Sequence, residues 1–172
     1  MKRVKKLLGM LIIMITFILT PGFIAEAYDN EGEYENAYAK YVGEFNVGNG
    51  ITCEVYEIPT IQLDAGGTKS KTYDFTLSYG GTYFGYLRQT TKWSYDGVNR
   101  PTLLSKSSTF YSTDPSKHYL LGRGDSTEDN GNYGRQYTRK ADVYYNNNRI
   151  ATTNFTTICD RSGNFYNTCT DD

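Results

Sequence analysis

One histidine, His118, has to serve a chain of 172 residues. That removes two-histidine acid–base schemes, HExxH proteases and histidine-rich metal sites. A Ser-His-Asp or Cys-His pair through His118 would still need a nucleophile, and no GxSxG elbow or other nucleophile motif occurs. His118 lies in Lys117-His118-Tyr119-Leu120-Leu121, which reads as ordinary strand. Its expected role is structural.

Carboxylates offer a second chemistry. Sugar hydrolysis needs two of them about 5–10 Å apart. Asp74, Asp96, Asp125, Glu128, Asp129 and Asp142 are candidates by type only, and each reads more simply as a solvated side chain. Asp125, Glu128, Asp129, Asn130 and Asn132 crowd into one stretch rich in oxygen ligands. Their spacing does not fit an EF-hand, because the glycine falls in the wrong place. A solvated acidic loop is expected there, with no metal and no cofactor.

Two short patterns suggest binding. Arg123-Gly124-Asp125 presents a cation and a carboxylate from what reads as a polar loop over residues 124–134, so it is an interaction-loop candidate. Chance also produces such tripeptides. Trp93 and Tyr95 stand two apart before the Asp96-Gly97 turn, so their side chains share a direction. They would form a sugar-stacking platform if exposed, but a sandwich also draws its one Trp into the core.

The three cysteines, Cys53, Cys159 and Cys169, contain no CxxC, which excludes thioredoxin-type and four-cysteine zinc chemistry. In an oxidising compartment one pair can close and one thiol is left over. The turn-rich residues 160–164 would fold back as a hairpin, which favours Cys159 with Cys169. Three reduced thiols remain the alternative.

The elements that must position these groups read mostly as strands. Residues 72–79 alternate Tyr73, Phe75, Leu77 and Tyr79 with Thr72, Asp74, Thr76 and Ser78, the period of a half-buried strand. Gly80-Gly81 supplies the two positive-φ positions of a tight hairpin. A simple return register puts Tyr79 opposite Thr82, Leu77 opposite Phe84, Phe75 opposite Tyr86 and Tyr73 opposite Arg88. It also throws Trp93 onto the other face, unless Gly85 hosts a bulge that restores the phase. Further strands are expected at 51–58, 103–111, 117–122, 137–145 and 149–159, with Asp64-Ala65-Gly66-Gly67 and Asn146-Asn147-Asn148 as turns.

Before these strands come two other segments. Residues 1–27 have a basic start (Lys2, Arg3, Lys5, Lys6), an apolar run over 7–20 and an Ala25-Glu26-Ala27 cleavage site, the layout of a secretory signal. The run is short for a membrane span, which needs about 20 residues. Its compactness suits a bacterial source. Residues 28–50 are acidic. Tyr34, Tyr38, Tyr41 and Phe45 fall on one helical face, while Gly32 and Gly43 weaken it, so a short helix or a mobile arm is expected.

The net charge of −1 leaves residues 51–172 near neutral once the basic signal and acidic arm are set aside. Nothing there draws nucleic acid or an anionic membrane. Aliphatic residues are sparse, but the 17 Tyr can bury rings and keep hydroxyls hydrogen-bonded. The expectation is an all-β, antiparallel sandwich of seven or eight strands over residues 51–172, with a closed barrel as the alternative. The expected function is that of an exported, secreted, non-catalytic binding module for an extracellular glycan, peptide or protein. A small carbohydrate-active protein and a structural surface protein are the other readings.

Overall fold

The computed structural model describes residues 39–59, 67–131 and 134–172. The expected export signal, the part of the expected arm before residue 39, Asp64 to Gly66 of the expected turn, and Asn132 lie outside them. Among the described residues there are nine strands: β1 Lys40–Gly48, β2 Ile51–Ile58, β3 Thr68–Tyr79, β4 Thr82–Ser94, β5 Thr102–Ser112, β6 Tyr119–Asn130, β7 Gly134–Tyr145, β8 Asn148–Cys159 and β9 Phe165–Asp171. They form two antiparallel meanders, β1-β2-β3-β4-β5 and β6-β7-β8-β9. β1 lies against β9 and β5 against β6, so the sheets are layered as a sandwich rather than rolled into one barrel. No helix among the described residues is long and apolar enough to cross a membrane.

Turn chemistry fixes the meanders. Gly80 and Gly81 have φ of 57° and 81°, and Asn146 and Asn147 have φ of 50° and 60°. Positive φ at both central positions matches the right-handed twist of flanking strands, and Gly and Asn tolerate it at least cost.

The main core holds the inward residues of both sheets. Ile51, Cys53, Val55, Phe75, Leu77, Phe84, Val143 and Phe155 are fully buried in it. Phe75 and Phe155 meet edge to face across the sheets, with centroids 5.6 Å apart. Polar side chains cross the gap too. Gln89 Nε2 donates to Thr157 Oγ1 (2.9 Å), whose hydroxyl donates to Asn167 Oδ1 (3.0 Å). A buried string of this kind penalises any slip of one sheet against the other, since each slip would orphan its members.

The β3–β4 register departs from the simple one. Tyr79 faces Thr82 and Ser78 faces Tyr83, but Leu77 then faces Gly85, Phe75 faces Leu87 and Tyr73 faces Gln89. Phe84 is the extra residue of a bulge. The pairs Leu77–Phe84, Phe75–Tyr86 and Tyr73–Arg88 do not form. Arg88 faces Asp74 instead and binds it through two hydrogen bonds of 2.8 Å on the outer face. The bulge returns Leu87, Gln89, Thr91 and Trp93 to the core, all 4% exposed or less.

Two stretches differ from expectation in kind. Lys40–Gly48, placed in the arm or short helix, is an edge strand paired with β2, so the sandwich begins ahead of residue 51. A register shift at Val42 puts Tyr41 on the outer face against Tyr56, while Phe45 packs on the core. Residues 124–130, read as polar loop, continue β6 and pair with β7 throughout.

Candidate functional site

The outer face of β6–β9 is concave and polar. It carries an open groove of about 560 Å³. Strand pairing aligns its floor into rows. Ser126, Thr138, Thr156 and Thr168 lie side by side across all four strands. Gly124, Lys140, Asn154 and Thr170 form the next row, and Glu128 faces Gln136 on the other side. These side chains point outward because their neighbours Tyr137, Ala141, Thr153, Phe155, Thr157, Asn167 and Cys169 fill the core.

The central row is uncharged, and Lys140 and Glu128 stand in the rows on either side of it. Thr138 Oγ1 and Thr156 Oγ1 share a hydrogen bond of 2.9 Å. One hydroxyl proton and several lone pairs of this couple stay open to a ligand. Two of the flanking charges are matched locally: Lys140 pairs with Asp172, and Arg123 Nε sits 2.7 Å from Asp142. At the two ends of this face stand aromatics. Tyr119 and Tyr144 stack with centroids 4.6 Å apart, and Tyr166, beside Ile158, is 53% exposed.

Asp142, the partner of the groove residue Arg123, has its side chain sealed from solvent. Thr152 Oγ1 donates to it at 2.7 Å, and Arg149 is 3.7 Å away. The Thr152 hydrogen bond, then the Arg123 and Arg149 cations, hold its carboxyl below the ordinary range. A carboxylate whose pKa is lowered in the fold stabilises at pH above its unfolded value, about 3.9, and loses that contribution as pH falls through the folded value. Asp96, Asp114, Asp160 and Asp172 are lowered as well, each by local hydrogen bonds. The thermal midpoint is therefore expected to be flat near neutrality and to drop in acid. Asp142→Asn should make that acid drop shallower in a pH series of melts. A variant that retains the full acid drop would show that Asp142 carries none of it.

The groove includes the Arg-Gly-Asp residues in a setting the sequence reading did not give them. Arg123 sits at a register shift in β6 and is tied to Asp142. Asp125 is tied to Lys106 of β5, with Arg139 4.0 Å away. Cation and carboxylate are each neutralised within the protein and sit in a paired strand, so they are not presented together from a loop.

Trp93 is fully buried with Tyr137 and Cys159 in a second core cluster. The Tyr95 ring covers Gly163 in the β8–β9 turn so closely that a Cβ there would lie 2.5 Å from it. Neither forms a sugar platform, because both are spent on closing this end of the sandwich. The acidic residues beside the groove are also dispersed. Asp129 binds Arg100 and lies 3.6 Å from Arg135, and Asn130 Nδ2 donates to Gln136 Oε1. Asp96 accepts from the backbone of Val98 and Asn99 in its own turn.

His118 lies just ahead of β6, buried, its ring stacked on Tyr145 at 4.4 Å. Its Nδ1 accepts the Asn146 amide hydrogen at 3.2 Å. That ties the link between the sheets to the β7–β8 turn. Cys159 and Cys169 do share a hairpin, but Cys159 faces Phe165 while Cys169 faces Phe155. Four strand positions separate them, about 13 Å, and a disulfide tolerates at most about 7 Å between Cα atoms. All three cysteines are buried thiols.

Compared with protein-family models, with curated proteins and with solved structures, the chain matches none.

Proposed function

We propose that the chain is an exported, non-catalytic binding module whose groove on the outer face of β6–β9 takes a neutral, polyhydroxylated chain, that is, a glycan. The observation that carries this is the hydroxyl row Ser126, Thr138, Thr156 and Thr168, flanked by Asn154, Gln136 and Thr170. Hydroxyls and amides both donate and accept, which matches the alternating demands of sugar hydroxyls. An extended peptide is served less well. It binds best to an unpaired sheet edge, and the groove lies on a face whose backbone groups are already paired. Exposed Tyr166 adds a ring at one end of the same face. Export rests on the three-part pattern of residues 1–27. Hydrolysis would need two free carboxylates. Asp172 is held by Lys140 and Asp125 is turned to Lys106 of the other sheet, which leaves Glu128 as one groove carboxylate where hydrolysis needs two and favours binding over cleavage.

The test is titration of the labelled protein with neutral oligosaccharides of several linkages, followed by amide chemical shifts. Shifts should concentrate on β6–β9. Replacing Thr138 and Thr156 together by Val keeps shape and strand preference, and it removes both partners of their hydrogen bond, so neither is orphaned. Affinity should fall roughly tenfold for about 1.4 kcal/mol of lost hydrogen bonding. Unchanged affinity in that variant, or saccharide-induced shifts confined to the other sheet, would overturn the assignment.

A further inference from the structure

We infer that Cys53 and Cys169 form a disulfide that staples the two sheets together, leaving Cys159 as the unpaired thiol. The argument starts from register. Cys53 is at an inward position of β2, opposite Phe45 on β1 and Leu77 on β3. Cys169 is at an inward position of β9, opposite Phe155 on β8. β1 and β9 lie side by side where the two sheets meet, and β2 is the next strand in from β1, so Cys53 and Cys169 enter the core from the same end of the sandwich. Both side chains belong to that core, at 0% and 1% exposure. The two side chains lie in the same packed cluster, near enough for one thiol to act on the other. Cys159 belongs to the other cluster, with Trp93 and Tyr137. Its sulfur is directed to the Asp160 carbonyl at 3.4 Å.

The chemistry is thiol–disulfide exchange with a small organic disulfide as oxidant. One cysteine thiolate attacks that disulfide, forms a mixed disulfide and expels one thiolate. The second cysteine then attacks the protein-bound sulfur and expels the other. The two cysteines lose two electrons and two protons. The oxidant gains both and leaves as two thiols. Burial, and then the contact with Cys169, push the Cys53 thiol well above its ordinary range. The closed sandwich therefore offers almost no thiolate and no access. The bond closes while the sheets are still coming together. Once closed, the same burial shields it from reductants. An exported chain with a thin core gains most from such a staple, because the bond spans nearly the whole domain and restricts the unfolded chain strongly. This inference is independent of what the groove binds.

The experiment uses the full chain, reduced and unfolded, then refolded in mixtures of reduced and oxidised glutathione. Thiols are alkylated and the linked peptides mapped. The expected product links Cys53 to Cys169, with Cys159 alkylated only after denaturation. Oxidised protein should unfold at a higher denaturant midpoint than the same protein under reductant. C159S should form the link unchanged, whereas C53A and C169A should not. Should the alanine variants fail to fold, the linkage map of the wild type and of C159S decides the matter. A link through Cys159, three free thiols at every glutathione ratio, or an oxidised form no more stable than the reduced one would overturn the inference.

Discussion

Phe155→Ala is expected to lower the free energy of unfolding by about 3–5 kcal/mol, read by urea denaturation. Phe155 is fully buried on β8 and meets Phe75 on β3 edge to face. Truncation loses the ring's transfer energy. It also leaves a cavity, since neighbouring strands cannot collapse inward without breaking their pairing. Domains of this size are commonly stable by only about 5–15 kcal/mol, so the loss is a large fraction of the whole. A double-mutant cycle of Phe75→Leu with Phe155→Leu should show coupling of about 0.5–1.5 kcal/mol from the ring pair itself. Tyr166→Ala is the control. Its ring is mostly exposed, and its removal should change stability by no more than about 0.5 kcal/mol. A Phe155→Ala cost below about 1 kcal/mol would mean that the two sheets do not pack through this pair.

Legibility in the sequence followed the burial of each strand. Residues 72–79 lie in the middle of a sheet and alternate cleanly because one face packs on Phe155 and its neighbours. The all-β sandwich, β2 at Ile51–Ile58 and the Gly80-Gly81 turn could be read from such local signals. β6 could not. It is an edge strand whose inward Asp125 meets Lys106 instead of an apolar core, so residues 123–130 look like loop. In β1, Tyr41 and Phe45 are four apart, a spacing that suits a helical face, and a register shift between them hides the strand period. The groove was less legible still. Ser126, Thr138, Thr156 and Thr168 come from four strands, and nothing local joins them until register sets them in one row. The cysteines follow the same rule. A hairpin between Cys159 and Cys169 could be foreseen, but its register, which separates them, could not.

Gly85 is where a single residue decides that register, and Gly85→Val is expected to cost about 2–4 kcal/mol, mainly through overpacking and backbone displacement. A Cβ on Gly85 would lie 2.3 Å from the Tyr111 carbonyl oxygen and 2.8 Å from Phe110 Cζ, both on the neighbouring strand β5. The first of these is backbone, so relief requires β4 and β5 to separate. Gly81 gives the contrast. It has positive φ but open space around it, so Gly81→Ala should cost only the conformational penalty, about 1–2 kcal/mol. Deleting Gly85 probes the bulge itself. With one residue fewer, Phe84 takes the place opposite Leu77 and every pair from Thr76–Tyr86 to Thr68–Ser94 is kept, so the side chains alternate without a bulge. Leu87, Gln89 and Trp93 then stay in the core, and Arg88 and Lys92 stay out of it. The deletion is therefore expected to keep cooperative unfolding with Trp93 buried, monitored by Trp93 fluorescence, whereas Gly85→Val keeps the extra residue and crowds it against β5. Should the deletion variant lose cooperative unfolding or expose Trp93, the bulge would do more than absorb one extra residue of β4, which would overturn this account of the register.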